Sequence, residues 1–421
     1  RRSGLTTIND LNGWNIYQGW YHRSLEYIDD ALVEFRNYNP RKPFIIAEYG
    51  AGSAASINTL HPTIFDFSNQ YQVRFHHHYL EAVKQFPWIT GQCIWTLSDF
   101  QVESRKDAVP HINSKGLLTA GRKPKDSYYL YQAHWSKHPM VHISGMNWRE
   151  RWYLSSTPGR IDDSVGIFTN TSSLELSLNG RQVHRTGVQD RWTKLPVSLS
   201  PGENRLVATG ITSDTAIHDT LHIHTVIIPR EGWKNHMPVS SLCINAGQTT
   251  THYKAAAGED YWLPDSRDTT QFYHHRDGKP FTHWPHMPAW EGIREGIDQN
   301  ITGTRHEPVF QTFLLDVQHY HVRLPPGSYS VELLFAEPFT RRERMENPTL
   351  CGSGKQGSRI FHVSIQGRPV ARNLNLEELA GVHHAMRLTD EVRVDGQPLH
   401  IELEPVQGKP VLSGIKITTL P

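Results

Sequence analysis

The sequence predicts a chain of several domains, an α/β segment over residues 1–139 followed by two all-β segments over 140–230 and 240–421. Three observations predict it. Residues 1–137 alternate continuous apolar runs with stretches at helical spacing, the pattern of buried parallel strands joined by helices. Past His138-Pro139 the apolar residues recur at period two, as in antiparallel strands with one wet face. A Pro-punctuated stretch, "PREGWKNHMPV" at 229–239, then separates one strand-rich region from the next. A length of 421 residues suits two to four domains.

In chain order, "GWNIYQGWY" (13–21) reads as a strand end and loop. "SLEYIDDALVEFRNY" follows with Leu25, Ile28, Leu32 and Phe35 on one helical face. "KPFIIAEYGAGS" (42–53) is a buried strand from 43 to 49 that runs into Glu48 and a Gly-Ala-Gly turn. A helix from Gln70 to Gln85, a second buried strand in "WITGQCIWTLSDF", a long loop and a helix around "KDSYYLYQAHW" complete the segment. Two or three such units cannot close a sheet, so their open edge calls for a partner half. "SVGIFTNTSSLELSLNGRQV" then alternates, with Asn179-Gly180 as a tight hairpin. "SLSPGENRLVATGI" and "TLHIHTVIIP" add the strands of a β-sandwich. From Ser240 the strands are "HYHVRLPPGSYSVELLFAEPF", "SRIFHVSIQGRPV", "LHIELEPV" and "VLSGIKITTL". "FTRRERMENPTLCGSGKQGS" (339–358) reads as an exposed insertion with solvated charges.

Composition excludes several classes. Lys and Arg total 43 against 42 Asp and Glu, so no strong field draws the chain to nucleic acid or a membrane surface. No apolar run approaches the roughly 20 residues that cross a bilayer. The three cysteines, Cys93, Cys243 and Cys351, lack any CxxC spacing, which argues against a zinc site or disulfide framework. Cys93 lies in an apolar strand pattern and reads as an inert buried thiol. The 12 Trp and 16 Tyr serve cores and interfaces, and also suit stacking on sugar faces. The opening "RRSGLTTIND" is neither an initiator methionine nor a signal peptide, which suggests a longer protein.

The chemistry should sit at strand ends. In an α/β barrel, catalytic groups lie at the carboxyl ends of the strands, where Glu48 and Trp95 fall. A carboxylate there, kept ionised by hydrogen bonds and solvent, is poised to attack a cationic sugar carbon. The residues alone leave a second reading open, a glutamate salt-bridged to a loop arginine. The run His76-His77-His78 invites a metal reading, but adjacent helical residues point apart, so the three cannot converge on one ion. We expect no metal, and a surface position for the run.

As a set, "GWNIYQGWY", "PFIIAEYGAGS", "GQCIWTLSDF" and "NSKGLLTAGRKPKDSYYLYQAHWS" resemble the last strands of a glycoside hydrolase family 2 (β/α)8 TIM barrel. That family includes β-galactosidases, β-glucuronidases and β-mannosidases. The resemblance implies Glu48 as the retaining nucleophile and Tyr17 as the tyrosine that hydrogen-bonds it. It implies Trp95 as the aromatic platform under the sugar and Asp99 as the acidic residue following it. Asn113 and Lys115 form an N-x-K pair of the kind glucuronidases use on the sugar carboxylate. Galactosidase-like members carry it too, and a loop-stabilising Asn with a surface Lys is the alternative. The family's acid/base, in an Asn-Glu pair on an earlier strand, is expected upstream of Arg1. Glu81, in a helix, and Glu103, in a loop, lack a preceding Asn and do not replace it. The chain alone is therefore expected to be inactive.

Residues 140–230 resemble an immunoglobulin-like domain. Residues from about 241 resemble a malectin-like carbohydrate-binding domain, through "CINAGQ", "YSVELLFAEPF", "RIFHVSIQGRPV" and "SGIKI". In that family, loops at one end of a jelly-roll-like sandwich present aromatics and an acidic residue to a glucose-type ligand. This implies Tyr253, Tyr261, Trp262, Asp265 and Phe339 as contacts here. Asn373 and Asn375, in "RNLNLEELAG", stand where an Asp is expected, so a purely structural domain remains open. The leading expectation is the C-terminal part of a retaining exo-β-glycosidase, β-galactosidase-like, acting on oligosaccharide or polysaccharide glycans and needing no cofactor. It would be periplasmic or extracellular by analogy. The competing class is a non-catalytic carbohydrate-binding protein working through the malectin-like segment.

Overall fold

A computed structural model describes residues 8–421 apart from 22, 39, 146, 158, 230–236, 257–258, 266–271, 275–278, 281–295, 298 and 348–356. Most of the "PREGWKNHMPV" stretch, Cys351 and half of the expected insertion at 339–358 lie outside the described residues. The rest falls into two compact units. One holds residues within 1–105, 111–151 and 162–225; the other holds residues within 106–110, 152–161 and 226–421. No helix among the described residues is long and apolar enough to cross a membrane.

In the first unit, β1 (Asn12–Asn15), β2 (Phe44–Tyr49) and β3 (Ile89–Ile94) form a parallel sheet in that order. Helix α1 (Ile28–Tyr38) lies between the first two strands in sequence and α2 (Asn69–Lys84) between the last two. Leu25, Ile28, Leu32 and Phe35 are buried, as their spacing predicts. Ser68 caps α2 by accepting from the Tyr71 N–H at 3.0 Å. β3 departs from expectation: Thr90 and Cys93 are exposed. Cys93 is therefore no buried thiol. The cause is position, because β3 is the sheet's edge and only β2 pairs with it.

The histidine run also departs from expectation. His76 is buried, its Nδ1 2.9 Å from the Tyr131 hydroxyl, while His77 and His78 are half-buried. The three diverge as helix geometry requires, yet one of them is core. Burial holds the His76 imidazole neutral, its pKa down at about 3.

Past α3 (Asp126–Trp135) the unit is all β. Gly202–Ile211 pairs antiparallel with Ser173–Leu178 on one side and with residues 216–225 on the other. Ser173–Leu178 also pairs with Arg181–Gly187 through the predicted hairpin. Asn179 and Gly180 both have positive φ, 52° and 81°, as that turn demands. Trp192–Leu199, Ile161–Thr169 and Val141–Ile143 make a second sheet.

Among its described residues the second unit carries two large antiparallel-rich sheets beside a small three-stranded one. The larger is built on Gly327–Ala336, flanked by Ala385–Val394 and Gly414–Thr419; Ser241–Asn245 follows as the next strand. The smaller runs through His319–Val322, Leu399–Gln407, Ile360–Ile365 and Arg368–Leu374. At one end of Gly327–Ala336 stands Glu337, 1% exposed, between two buried guanidinium groups. Arg344 reaches it at 2.9 Å and Arg359 at 2.9 Å. Arg344 also donates to the carbonyls of Phe339 and Gly357, and Arg359 to that of Lys409. The helix Arg341–Glu346, closed by a Thr340/Glu343 capping box, delivers Arg344. The charges of this stretch are thus not all solvated: the helix turns Arg344 inward.

Glu337→Gln leaves two buried guanidinium groups without their shared anion and is expected to cost about 3–5 kcal/mol. Urea titration of the chain checks this. Loss of the exposed Arg342–Glu346 pair serves as the near-neutral comparison.

Candidate active site

Glu48 reaches the end of β2 because the parallel pairing fixes the strand's register on both sides. The Ile16 N–H donates to the Glu48 carbonyl at 2.8 Å, and the Trp95 N–H to the Tyr49 carbonyl at 2.8 Å. Directly after it, Tyr49 turns into the core, stacked on Tyr79 at 5.0 Å with its hydroxyl 2.7 Å from that of Tyr131. Gly50 must be glycine, since a Cβ there would lie 2.1 Å from the Trp95 carbonyl oxygen. The turn after the nucleophile candidate and the end of β3 are therefore in direct backbone contact.

The Glu48 side chain is half-buried. Its Oε2 accepts a hydrogen bond from the Tyr17 hydroxyl at 3.0 Å. Burial and the Glu48 charge push the Tyr17 hydroxyl pKa well up, so Tyr17 keeps its proton and donates throughout the working pH range. Tyr17 comes from the segment after β1, and the 5.2 Å ring contact with Tyr21 orients it.

Lys115 is buried, and its Nζ donates to the Tyr21 hydroxyl at 2.5 Å. The ammonium lies 4.7 Å from the Tyr21 ring, 5.8 Å from Trp20 and 5.9 Å from Tyr17. Arg105 donates to the same Tyr21 hydroxyl at 2.9 Å. Two cations thus share one phenol, one residue-length from the Tyr17–Glu48 pair. Asn113 accepts from the Lys115 N–H at 3.2 Å and shapes the loop that carries the lysine. The expected alternative, a surface lysine, is not what the chain adopts. Trp95 is half-buried at the end of β3, with Phe100 edge-on at 5.9 Å.

Asp99 sits in a structural node. Its Oδ1 accepts from the Gly116 N–H at 2.8 Å and from Lys125 Nζ at 2.9 Å. Lys125, almost fully buried, donates as well to the carbonyls of Ser53 at 3.1 Å and Ser114 at 3.0 Å. Burial pushes the Asp99 carboxyl up and the Lys125 ammonium down. Three acceptors around three N–H donors still match a charged ammonium. Gln72 of α2 reinforces the node by donating to the carbonyls of Ala51 and Gly116. Sequence reading missed Lys125, Gln72 and Tyr21. Tyr21 lay within a recognised aromatic stretch, but nothing local marks a lysine beside a helix start as buried.

The five residues expected to contact sugar in the second unit are all core. Tyr253, Tyr261, Trp262, Asp265 and Phe339 are each no more than 4% exposed. Tyr261 stacks on Trp152 at 5.1 Å, and Phe339 meets Phe313 edge-on at 5.8 Å. The Tyr253 hydroxyl donates to the Arg305 carbonyl at 3.4 Å, and the Asp265 carboxylate faces the Tyr320 hydroxyl. Strand pairing turns Tyr253 and Trp262 inward and packing of the adjoining loops buries the other three, so this structure offers a ligand none of their ring faces. Asn375 caps the helix Leu376–Leu379 and Asn373 takes φ 52°, both backbone duties.

Comparison with known proteins follows these divisions. Residues 4–140 match the TIM barrel domain of glycosyl hydrolases family 2, and residues 240–415 match the malectin domain. A putative beta-glucuronidase of Formosa agariphila is 27% identical over 252 residues, covering 52% of this chain and 30% of that protein. The crystal structure of a Bacteroides uniformis beta-glucuronidase superposes with a TM-score of 0.85 at 28% identity, over 99% of this chain and 46% of that one. A second, Bacteroides uniformis beta-glucuronidase 2 covalently bound to cyclophellitol-6-carboxylate aziridine, gives 0.83 at 28% identity, again over 99% and 46%. The chain spans less than half the length of each of these proteins.

Asp99→Asn leaves the buried Lys125 ammonium without its anion and is expected to cost about 3–5 kcal/mol. Lys125→Met in the Asp99→Asn background should recover part of that loss. Equilibrium unfolding of the single and double variants measures the coupling.

Proposed function

We propose that this chain, which joins a glycosyl hydrolase family 2 barrel region to a malectin domain, is the nucleophile-bearing part of a retaining exo-β-glycosidase, and that its substrates are β-glucuronides. Glu48 attacks the anomeric carbon through Oε1, while Tyr17 holds Oε2 and keeps the charge oriented. The bond to the leaving group breaks as a partner carboxylic acid protonates it, and water later cleaves the glycosyl ester. That acid stands in a part of the enzyme beyond these 421 residues, roughly 5–5.5 Å from Glu48 when assembled. The barrel segment is a partial (β/α)8 barrel, the sandwich after it immunoglobulin-like, and the 421 residues alone turn over no substrate. Export to the periplasm or exterior would place the enzyme among its glycans.

One observation carries the choice of sugar. Lys115 and Arg105 concentrate two positive charges on the Tyr21 hydroxyl beside the Tyr17–Glu48 pair. A neutral galactoside offers such a pair nothing, whereas the carboxylate of a uronic acid matches it. On this reading a β-glucuronide is preferred to the β-galactoside that the sequence led us to expect. The three relatives named above carry beta-glucuronidase names, and one of them is covalently bound to cyclophellitol-6-carboxylate aziridine, whereas a further relative, of Bacteroides ovatus, is a beta-galactosidase. A binding protein working through the malectin segment is not favoured, since its candidate contacts are core.

In the complete enzyme, a cyclophellitol aziridine bearing the 6-carboxylate should label the peptide containing Glu48, read by mass spectrometry. A label on another residue, or none on folded enzyme, overturns the assignment. Lys115→Met should lower kcat/KM for an aryl β-glucuronide by about ten- to a hundred-fold, the worth of one charge-assisted contact, and leave an aryl β-galactoside nearly unchanged. Equal losses on both sugars would refute carboxylate recognition.

A further inference from the structure

The run of three histidines hides a different constellation, assembled from two elements of the first unit. His77 and Glu81 lie one turn apart on the outer face of α2, and Asp190 belongs to the turn between two strands of the sandwich, Arg181–Gly187 and Trp192–Leu199. His77 Nε2 stands 2.9 Å from Asp190 Oδ2. One ligand atom from each of the three lies within 4.8 Å of the other two. We infer that His77, Glu81 and Asp190 form a binding site for a divalent transition-metal ion of the zinc type, which ties the sandwich turn to α2.

Chemistry and geometry both favour this class of ion. Tetrahedral bonds of about 2.0–2.2 Å set ligand atoms roughly 3.4 Å apart, so the 2.9 Å His77–Asp190 contact opens slightly while Glu81, within 4.8 Å, draws in. An imidazole among the ligands selects zinc-type ions over calcium or magnesium, which prefer all-oxygen shells. The site is held from both sides. Trp192 packs edge-on against the His77 ring at 5.0 Å, and Asp190 Oδ1 accepts from the Arg191 N–H at 2.6 Å, leaving Oδ2 to face the ion. His134 of α3 lies near the same group, and its Nε2 is buried with no protein partner. One group opposes the ion. Lys84 contacts Glu81 at 2.5 Å and must swing away, which its 55% exposure allows.

The test is a competition titration of the metal-stripped chain with Zn2+ against a chromophoric chelator, with melting followed in parallel. One equivalent of Zn2+ should bind and raise the melting temperature, with Ca2+ and Mg2+ doing neither. Glu81→Gln and Asp190→Asn should weaken binding at least about tenfold. Lys84→Met, a change at an exposed side chain, should tighten it. Failure to take up one equivalent, or affinity that Lys84→Met and Glu81→Gln both leave unchanged, overturns the site, because any zinc bound would then sit elsewhere among the 26 histidines.

Discussion

The candidate site depends on one buried ammonium. Lys125 gathers the turn after β2 through the Ser53 carbonyl, the segment after β3 through Asp99, and the following loop through the Ser114 carbonyl. Glu48, Trp95 and Lys115 stand on the same three pieces of chain. Loops ordinarily open with little free-energy cost. Here opening any one of them strands a charge in a nearly dry interior, so they move together or stay. Catalytic geometry tolerates displacements well below an ångström, and a three-way electrostatic node between strand ends is a direct way to hold it. The close approach of Gly50 to the Trp95 carbonyl and of Gly116 to the Asp99 backbone shows how tightly these pieces are drawn in.

The second unit uses the same device in mirrored charge. There an anion, Glu337, is buried between two cations; both arginines also donate to backbone carbonyls, and Arg344 pairs in addition with the Glu377 carboxylate. Buried ion pairs stabilise weakly against an apolar alternative, but breaking them is costly. Their effect is to forbid partial disassembly. In the first unit that cooperativity joins the pieces of chain that carry Glu48, Trp95 and Lys115. In the second it closes the turn after the "FAEP" sequence and fixes the short helix that brings Arg344 in.

How much of this was legible in the sequence follows from which patterns are local. Phe44–Tyr49 read as a strand because its apolar run is continuous, and the Asn179-Gly180 hairpin because two left-handed residues in a row have few other uses. Glu48 was found as a carboxylate out of place in such a strand. What failed was burial decided by distant neighbours. Cys93 shares the apolar context of a core thiol yet faces outward, since β3 lies at the sheet edge. His76, Arg344 and Lys125 look like surface residues, and become interior only because Tyr131, Glu337 and Asp99 wait for them at separations of 55, 7 and 26 residues. The aromatics chosen at Tyr253, Tyr261 and Trp262 failed for the converse reason. Sugar platforms and core packing draw on the same residue types, and composition does not separate them.

The charges around Glu48 and Lys115 are arranged asymmetrically. Glu48 is half-buried and held by a single neutral donor, so it keeps much of the nucleophilicity that a salt bridge would quench. Lys115 is treated in the opposite way. It is withdrawn from water, set against the faces of three aromatic rings and hydrogen-bonded to a phenol oxygen. A relay of neutral phenols, Lys115–Tyr21–Tyr17–Glu48, separates the ammonium from the carboxylate. On the proposed β-glucuronide reading, the negative charge of a uronic acid would be received at one end of this chain of contacts, and the positive charge developing at the anomeric carbon met at the other.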